Sequence, residues 1–159
     1  MFVLVRAITY ATVFIGFVLV YLPARFLSWS GIVAPATTGV PQVAGMIMVT
    51  IGTAIALWCV FTFVFIGKGT PAPFDPPRKL VIRGPYRFVR NPMYIGAGMT
   101  LAGAALYYQS VSILIYICLF FLITHPFVVL YEEPTLRRTF GDEYEAYFRR
   151  VRRWIPKRS

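Results

Sequence analysis

The sequence is poor in charged residues for its length. Charged residues make up 14% of the 159 positions and hydrophobic residues 58%, whereas a soluble domain usually has about 25% charged and about 45–50% apolar residues. The mean hydropathy is +0.66. This balance disfavours a soluble globular protein and predicts an all-α integral membrane protein that forms a single domain over residues 1–159.

Thiol and imidazole groups are also scarce, which bears on redox and metal chemistry. Cys59 and Cys118 lie inside apolar runs and neither belongs to a CxxC pair, so we expect no disulfide. The single histidine, His125, and two distant cysteines do not form a recognisable zinc or iron site. We therefore expect no bound metal.

Acidic residues are few as well. Six of them face 16 basic residues, and the net charge is +10. In a soluble protein this excess would suggest a nucleic-acid partner. Here the basic residues cluster beside apolar segments, which favours membrane orientation and contact with anionic headgroups. We expect an anionic membrane surface as a partner and no nucleic acid.

Four apolar runs predict four transmembrane helices, because a helix needs about 20 apolar residues to cross a bilayer. They cover about 7–24, 43–66, 92–108 and 110–131. No basic segment precedes the first run and no clear cleavage site follows it, so we interpret it as a retained span. Small residues in the second and third runs predict close helix packing. Only Gln109 and its neighbours separate the last two runs, which predicts an antiparallel hairpin.

The distribution of basic residues predicts the orientation. The loop 67–91 has six basic residues against one acidic residue, and the tail after Tyr131 has eight basic residues. The loop 28–42 has no charged residue. The positive-inside rule therefore predicts that the N-terminus, the 67–91 loop and the tail are cytoplasmic.

The segments predicted to be cytoplasmic contain two further helix signals. Asn91 is a favoured N-cap residue and Pro92 suits the first helical position, so we expect the third helix to start there. In the segment 132–159, apolar residues recur at helical spacing while arginines fill the other faces. This pattern predicts a basic amphipathic helix on the membrane surface, starting near Pro134 and broken at Gly141.

The carboxylates of Glu132 and Glu133 follow the fourth run directly, where two adjacent charges repel each other unless they meet a cation. Pairing with loop arginines such as Arg87 or Arg90 and binding of a cationic or hydroxyl-bearing ligand both remain open. His125 precedes the pair by about two turns. It could be functional, or it could bond to carbonyls freed by a proline kink.

Two separated motifs resemble a known family. GPYRFVRNPMYIG (84–96), a two-helix hairpin and EEPTLRRTFGDEYEAYFRRVRRWIP (132–156) resemble the isoprenylcysteine carboxyl methyltransferase and phospholipid methyltransferase superfamily over about residues 68–156. Two positions depart from the family pattern. Asn91 stands where many members have histidine. Val128 stands where eukaryotic prenylcysteine enzymes have an arginine, which weighs against a carboxylate acceptor.

The resemblance implies an S-adenosylmethionine site at the cytoplasmic face. The implied catalytic residues are Glu132, His125 and Arg90. The implied cofactor-binding residues are Lys79, Leu80, Val81, Tyr86, Asn91, Pro92, Met93, Tyr94, Glu132 and Glu133.

The function implied by the resemblance is methyl transfer to a hydrophobic or lipid-anchored acceptor that enters from the bilayer. A prenylcysteine carboxylate, a phospholipid amine and a small thiol all remain as acceptors. A non-enzymatic membrane protein with a basic lipid- or partner-binding face is the alternative from another class, and the sequence leaves the oligomeric state open.

Overall fold

The computed structural model describes residues 5, 9, 12–67 and 77–156, and this part of the chain is helical apart from its loops. We label its long helices α1 (Thr12–Trp29), α2 (Val40–Gly67), α3 (Pro92–Tyr108), α4 (Val111–Phe127) and α5 (Glu133–Arg150). A short 3₁₀ helix, Gly84–Arg87, lies in the loop before α3. Strand pairing among the described residues is confined to one isolated bridge, between Val89 and Arg152.

Local signals account for the ends of the middle helices. Helix α2 begins after Gly39, whose N–H donates to the Gln42 side chain at 3.0 Å. Helix α3 begins at Pro92 as expected and ends at Tyr108, and the next residue, Gln109, adopts a left-handed conformation with φ of 47°. Ser110 then accepts a hydrogen bond from the N–H of Ile113 at 3.3 Å and caps α4. The predicted hairpin of α3 and α4 is thus confirmed.

Three of the four predicted spans correspond to helices that are long and apolar enough to cross a membrane. These are Thr12–Trp29, Val40–Gly67 and the continuous helix Val111–Arg150. Helix α3 has 17 residues, so its crossing stays a prediction, as does the orientation of the loops. Helix α1 also runs five residues past the predicted end of the first span at residue 24, because Arg25 ends the apolar run without ending the helix.

The last helix starts near Pro134 as predicted, because α5 begins at Glu133 with the proline in its first turn. It is not separate from α4, however, since a π-helical turn, Val128–Glu132, carries α4 directly into α5. A π-turn bonds residue i to i+5, and this wider turn ends just before Pro134, which has no N–H to donate. The helix therefore continues across the end of the apolar run.

The predicted amphipathic helix over 132–159 is too long. Gly141 does break the helical geometry, with φ of 50°, but α5 ends at Arg150 and Val151 is extended. Residues 151–156, which we call the C-terminal strap, leave the helix and run beside the loop before α3. The N–H of Arg90 donates to the carbonyl of Arg152 at 2.9 Å. Helical spacing of apolar residues could not anticipate this, because the backbone found its partners in a distant loop.

Helices α2 and α3 pack through glycines, as their small residues predicted. A Cβ added to Gly52 would lie 2.6 Å from the carbonyl oxygen of Gly96, and one added to Gly103 would lie 2.6 Å from that of Gly45. The two pairs place the helices antiparallel with their backbones in close contact. The N-terminus of α3 is thereby fixed beside the C-terminal end of α2, where the candidate site lies.

Candidate functional site

The loop before α3 folds over the end of α2 through one buried tyrosine. Tyr86 is 6% exposed and packs with Cys59 and Val81. Its ring meets that of Phe63 edge-on, with centroids 5.3 Å apart. The hydroxyl of Tyr147, on α5, donates to the carbonyl oxygen of Tyr86 at 2.7 Å. Loop, α2 and α5 are therefore joined at this residue.

A small cavity, which we call the polar cavity, lies where this loop meets the π-turn and α5. Its volume is about 30 Å³, which is room for about one water molecule. Several residues that the resemblance implied for the site line it, namely Leu80, Val81, Tyr86, Arg90, Asn91, Glu132 and Glu133.

The two adjacent glutamates occupy different environments. Glu133 is buried and pairs with two arginines. Its Oε1 lies 3.2 Å from Nη2 of Arg90, and its two oxygens accept from Nε and Nη2 of Arg153 at 2.8 and 2.9 Å. Of the two loop arginines considered as partners, Arg90 fills the role. Arg87 is exposed, and its guanidinium lies over the Phe88 ring instead.

Glu132 has no salt-bridge partner among the described residues. Its Oε2 accepts a hydrogen bond from the Tyr94 hydroxyl at 3.3 Å. Residues 111–131 contain no Asp, Glu, Lys or Arg, so this carboxyl lies just past the end of the apolar run. Burial raises the pKa of Glu132 to about 7, with the Tyr94 hydrogen bond lowering it and the charge of Glu133 raising it. Near neutral pH both the acid and the carboxylate are therefore present.

Arg90 has donors left over after pairing. Nη2 meets Glu133, while Nε and Nη1 are buried and have no hydrogen-bond partner in the described part of the chain. The guanidinium carbon lies 3.8 Å from the ring centroid of Phe148, on α5. Buried charged donors without an acceptor are costly, so these two N–H groups are available to a further acceptor.

Asn91 lines the cavity, whereas Pro92, Met93 and Lys79 do not. Asn91 is 5% exposed and occupies the N-cap position without capping through its side chain. Its Nδ2 approaches the carbonyl of Arg153 at 3.5 Å. Pro92 is buried, and Met93 packs against the Cys59 cluster. Lys79 is exposed and does not line the cavity.

The structure separates His125 from the polar cavity. It lines a second cavity of about 680 Å³, which we call the apolar groove, together with Ile95, Cys118, Phe121, Leu122, Pro126 and Trp154. Its Nδ1 accepts a hydrogen bond from the indole N–H of Trp154 at 3.1 Å. This contact differs from the backbone bonding considered for it from the sequence.

Sequence reasoning missed three further polar residues at this site. Tyr144 and Tyr147 line the polar cavity, and their spacing of three on α5, within the motif quoted above, was a usable signal. Arg153 holds Glu133 from the C-terminal strap. No local pattern identifies it, because its position depends on the strap leaving the helix at Val151.

Residues 40–143 match the family model described as phospholipid methyltransferase. The match covers more than half of the chain. The chain belongs to the phospholipid methyltransferase family. No curated protein and no solved structure gave a match.

The matched range of this phospholipid methyltransferase family member includes most of the residues around the polar cavity. The loop before α3, the α3–α4 hairpin, Glu132 and Glu133 all lie inside it, whereas Tyr144, Tyr147 and the C-terminal strap lie beyond residue 143. The superfamily resemblance seen in the sequence is thereby confirmed, and with it a membrane methyltransferase family.

Proposed function

We propose that the protein is an S-adenosylmethionine-dependent methyltransferase that acts on the polar head of a hydrophobic or lipid-anchored acceptor. One observation carries this proposal. The polar cavity contains a carboxylate, Glu132, with no salt-bridge partner among the described residues, and an arginine, Arg90, with buried unpartnered donors. Opposite unmet charges in one cavity suit a zwitterionic ligand.

The residues present fit the chemical groups of this cofactor. The free Nε and Nη1 of Arg90 can donate to the methionine carboxylate, since guanidinium–carboxylate contacts are strong and directional. Glu132 can accept from the ammonium group or from the ribose hydroxyls. Tyr86 and Tyr94 offer aromatic faces for a sulfonium cation. A cavity of about 30 Å³ is far smaller than the cofactor, so the segments that line the cavity must move apart on binding.

When bound, the cofactor supplies an already activated methyl group, and the chain mainly has to orient and protect the reactants. Tyr86, Tyr147 and Leu136 close the cavity against water. Glu132, with a pKa of about 7, is suited to take the proton that an amine acceptor must lose. A carboxylate acceptor would need no such base.

His125 has a different place in this scheme. It lies on the apolar groove, so we assign it to the acceptor side. Because Nδ1 of His125 accepts a hydrogen bond from the indole N–H of Trp154, only Nε2 of His125 is left to contact the methyl acceptor. Arg90 and Glu132 are assigned to the cofactor, and Glu132 additionally to the proton.

The test is a labelled methyl-transfer assay on protein reconstituted in nanodiscs. Acceptors would be a membrane lipid extract, a prenylcysteine analogue and a small thiol, which separates the three acceptor classes. Arg90→Lys keeps a cation for Glu133 but loses the fork of donors, so we expect its kcat/KM to fall about tenfold or more, in line with one charged hydrogen bond. Arg83→Gln, at an exposed residue that does not line the cavity, should match the wild type. No labelled product with any acceptor would overturn the proposal.

A further inference from the structure

Tyr94 lies between the polar cavity and the apolar groove, because it contacts one lining residue of each. Its hydroxyl donates to Glu132 at 3.3 Å, and its ring centroid lies 6.4 Å from that of Trp154, which lines the groove. We propose that the groove binds the aliphatic chain of the methyl acceptor and that Trp154 closes its inner end, which makes Trp154 a specificity-determining residue. This inference rests on the function proposed above and names where its acceptor binds.

The walls of the groove suit carbon rather than polar groups. They come from three elements, with Ile95 on α3, Phe121 and Leu122 on α4, and Trp154 on the C-terminal strap. The two polar side-chain groups in the walls, the imidazole of His125 and the indole N–H of Trp154, are hydrogen-bonded to each other. A volume of about 680 Å³ lies in the range of about 300–1,000 Å³ that is usual for small-ligand sites.

The groove is continuous with the surface that lipid must cover. Leu122 and its neighbour Ile123 are 68% and 69% exposed, and both lie in the apolar part of the helix Val111–Arg150, which is suited to span the membrane. Water molecules find few hydrogen-bond partners in such a groove, and a polar ligand would lose its hydration there without gaining new hydrogen bonds. An aliphatic chain can enter sideways from the bilayer without crossing a polar boundary.

Trp154 is fixed in place by contacts on both sides. Its ring centroid lies 6.0 Å from those of Phe121 and His125. The residue before it, Arg153, is bonded to Glu133 through its side chain and to the N–H of Asn91 through its carbonyl. A chain whose head-group end rests on Trp154 would therefore place that head beside Tyr94, next to Glu132. The bulk of Trp154 then selects the acceptor by the part of the chain that adjoins its head.

Tryptophan fluorescence in nanodiscs of phospholipid brominated along its acyl chains tests occupancy without any cofactor. One variant, Trp29→Phe/Trp58→Phe, keeps only Trp154. A second, Trp29→Phe/Trp154→Phe, keeps only Trp58, which is 58% exposed on α2 and serves as a reference for ordinary surrounding lipid. We expect bromine to quench Trp154 at least as strongly as Trp58, although Trp154 is less exposed.

A blocking variant makes this test specific. Cys118→Phe, in the Trp154-only background, adds bulk inside the groove and should at least halve the quenching of Trp154. Ile115→Phe adds the same ring at an exposed position of α4 outside the groove and should leave the quenching unchanged. Equal quenching in the two variants would mean that Trp154 sees only ordinary surrounding lipid, and would overturn the proposal.

The methyl-transfer assay then assigns the chain to the acceptor. Cys118→Phe should raise KM for long-chain acceptors at least tenfold while leaving KM for S-adenosylmethionine and helicity unchanged, and Ile115→Phe should change neither constant. Selective quenching with an unchanged acceptor KM would overturn the assignment to the acceptor. If the wild type transfers no methyl group, the proposed function fails, and the quenching result, which needs no cofactor, shows separately whether the groove holds a chain.

Discussion

Glu132 and Glu133 are neighbours in sequence whose side chains are prepared for different tasks. Glu133 is neutralised by Arg90 and Arg153, so it serves to hold the loop, α5 and the C-terminal strap together. Glu132 has no salt-bridge partner in the part of the chain that the structure describes, and burial raises its pKa to about 7, so that its carboxyl loses its proton near neutral pH. The adjacent pair thus combines a structural ion pair with a titratable group at the cavity.

The first prediction concerns the pH dependence of cofactor binding. The folded-state pKa of Glu132 is about 7, raised from 4.5, and only the carboxylate attracts an ammonium group. Affinity for S-adenosylmethionine should therefore rise with pH through 7, and should be about fivefold weaker at pH 6 than at pH 7. Equilibrium titrations at several pH values measure this, and a Glu132→Gln variant should give a flat profile. A wild-type profile as flat as that of the variant would refute the role.

The same shift predicts an effect on folding with the opposite sign. Because the folded-state pKa lies above the unfolded value of 4.5, the contribution of Glu132 to stability is fully present below pH 4.5 and is lost as pH rises through 7. Glu132→Gln should therefore raise the Tm of the cofactor-free protein at pH 8 and change it less at pH 5. Thermal unfolding in detergent at both pH values checks this, and an equal change at both would contradict it.

A third prediction tests the anchoring role of Arg153. Its removal leaves Glu133 with Arg90 alone and loses two charged hydrogen bonds, so Arg153→Gln should cost about 1–3 kcal/mol of folding free energy. The neighbouring Arg152→Gln is the matched control, because its side chain is exposed. Thermal unfolding should separate the two. In a double-mutant cycle with Glu133→Gln, the two losses of folding free energy should be less than additive, because both substitutions remove the same interaction. Equal Tm values for Arg152→Gln and Arg153→Gln would contradict the anchoring role of Arg153.

At the scale of helices, the close contact between α2 and α3 positions the site. The fourth prediction is that Gly52→Ala lowers stability by about 1–3 kcal/mol, because the new Cβ would lie 2.6 Å from backbone atoms of Gly96 and Thr100. Gly16→Ala is the control, since a Cβ there meets nothing within 4 Å. Unfolding in detergent measures both, and a neutral Gly52→Ala would show that the helices can separate without cost.

The sequence predicted elements well where short-range signals mark their ends. Helix α3 begins at Pro92 and ends at Tyr108 as predicted, because a proline start and a polar turn at Gln109 delimit it. The C-terminal strap was missed because Val151 and Ile155 continue the helical spacing of α5. Its true conformation depends on hydrogen bonds to residues 90 and 91, which lie about 60 residues away in sequence.

The candidate site, like the fold, could be predicted only in part from the sequence. Most of the polar cavity followed from motifs that resemble the family, since those residues are close to one another in sequence or adjoin the hairpin. His125, expected as a catalytic residue together with Glu132, lines the apolar groove rather than the polar cavity and accepts a hydrogen bond from Trp154. The direction in which a side chain leaves a helix that passes through a π-turn cannot be inferred from spacing in the sequence.

At the scale of the whole molecule, the chain places a polar cavity at the end of its membrane-spanning helices and an apolar groove on the lipid-facing side. The C-terminal strap joins the two, with Arg153 on Glu133 and Trp154 on His125. A water-soluble cofactor and a bilayer-borne acceptor could thus approach from different phases and meet at Tyr94. Under the proposed function, this arrangement brings the two reactants together with few polar side chains.

The most direct measurement is a calorimetric titration of the purified protein in nanodiscs with S-adenosylmethionine. We expect saturable binding of one cofactor per chain by the wild type, weakened about tenfold or more in Glu132→Gln and in Arg90→Lys, as the loss of a charged hydrogen bond requires. Arg83→Gln, at an exposed residue that does not line the cavity, should bind like the wild type. Absence of binding by the folded wild type, or binding unchanged in both cavity variants, would contradict the assignment of the polar cavity to the cofactor.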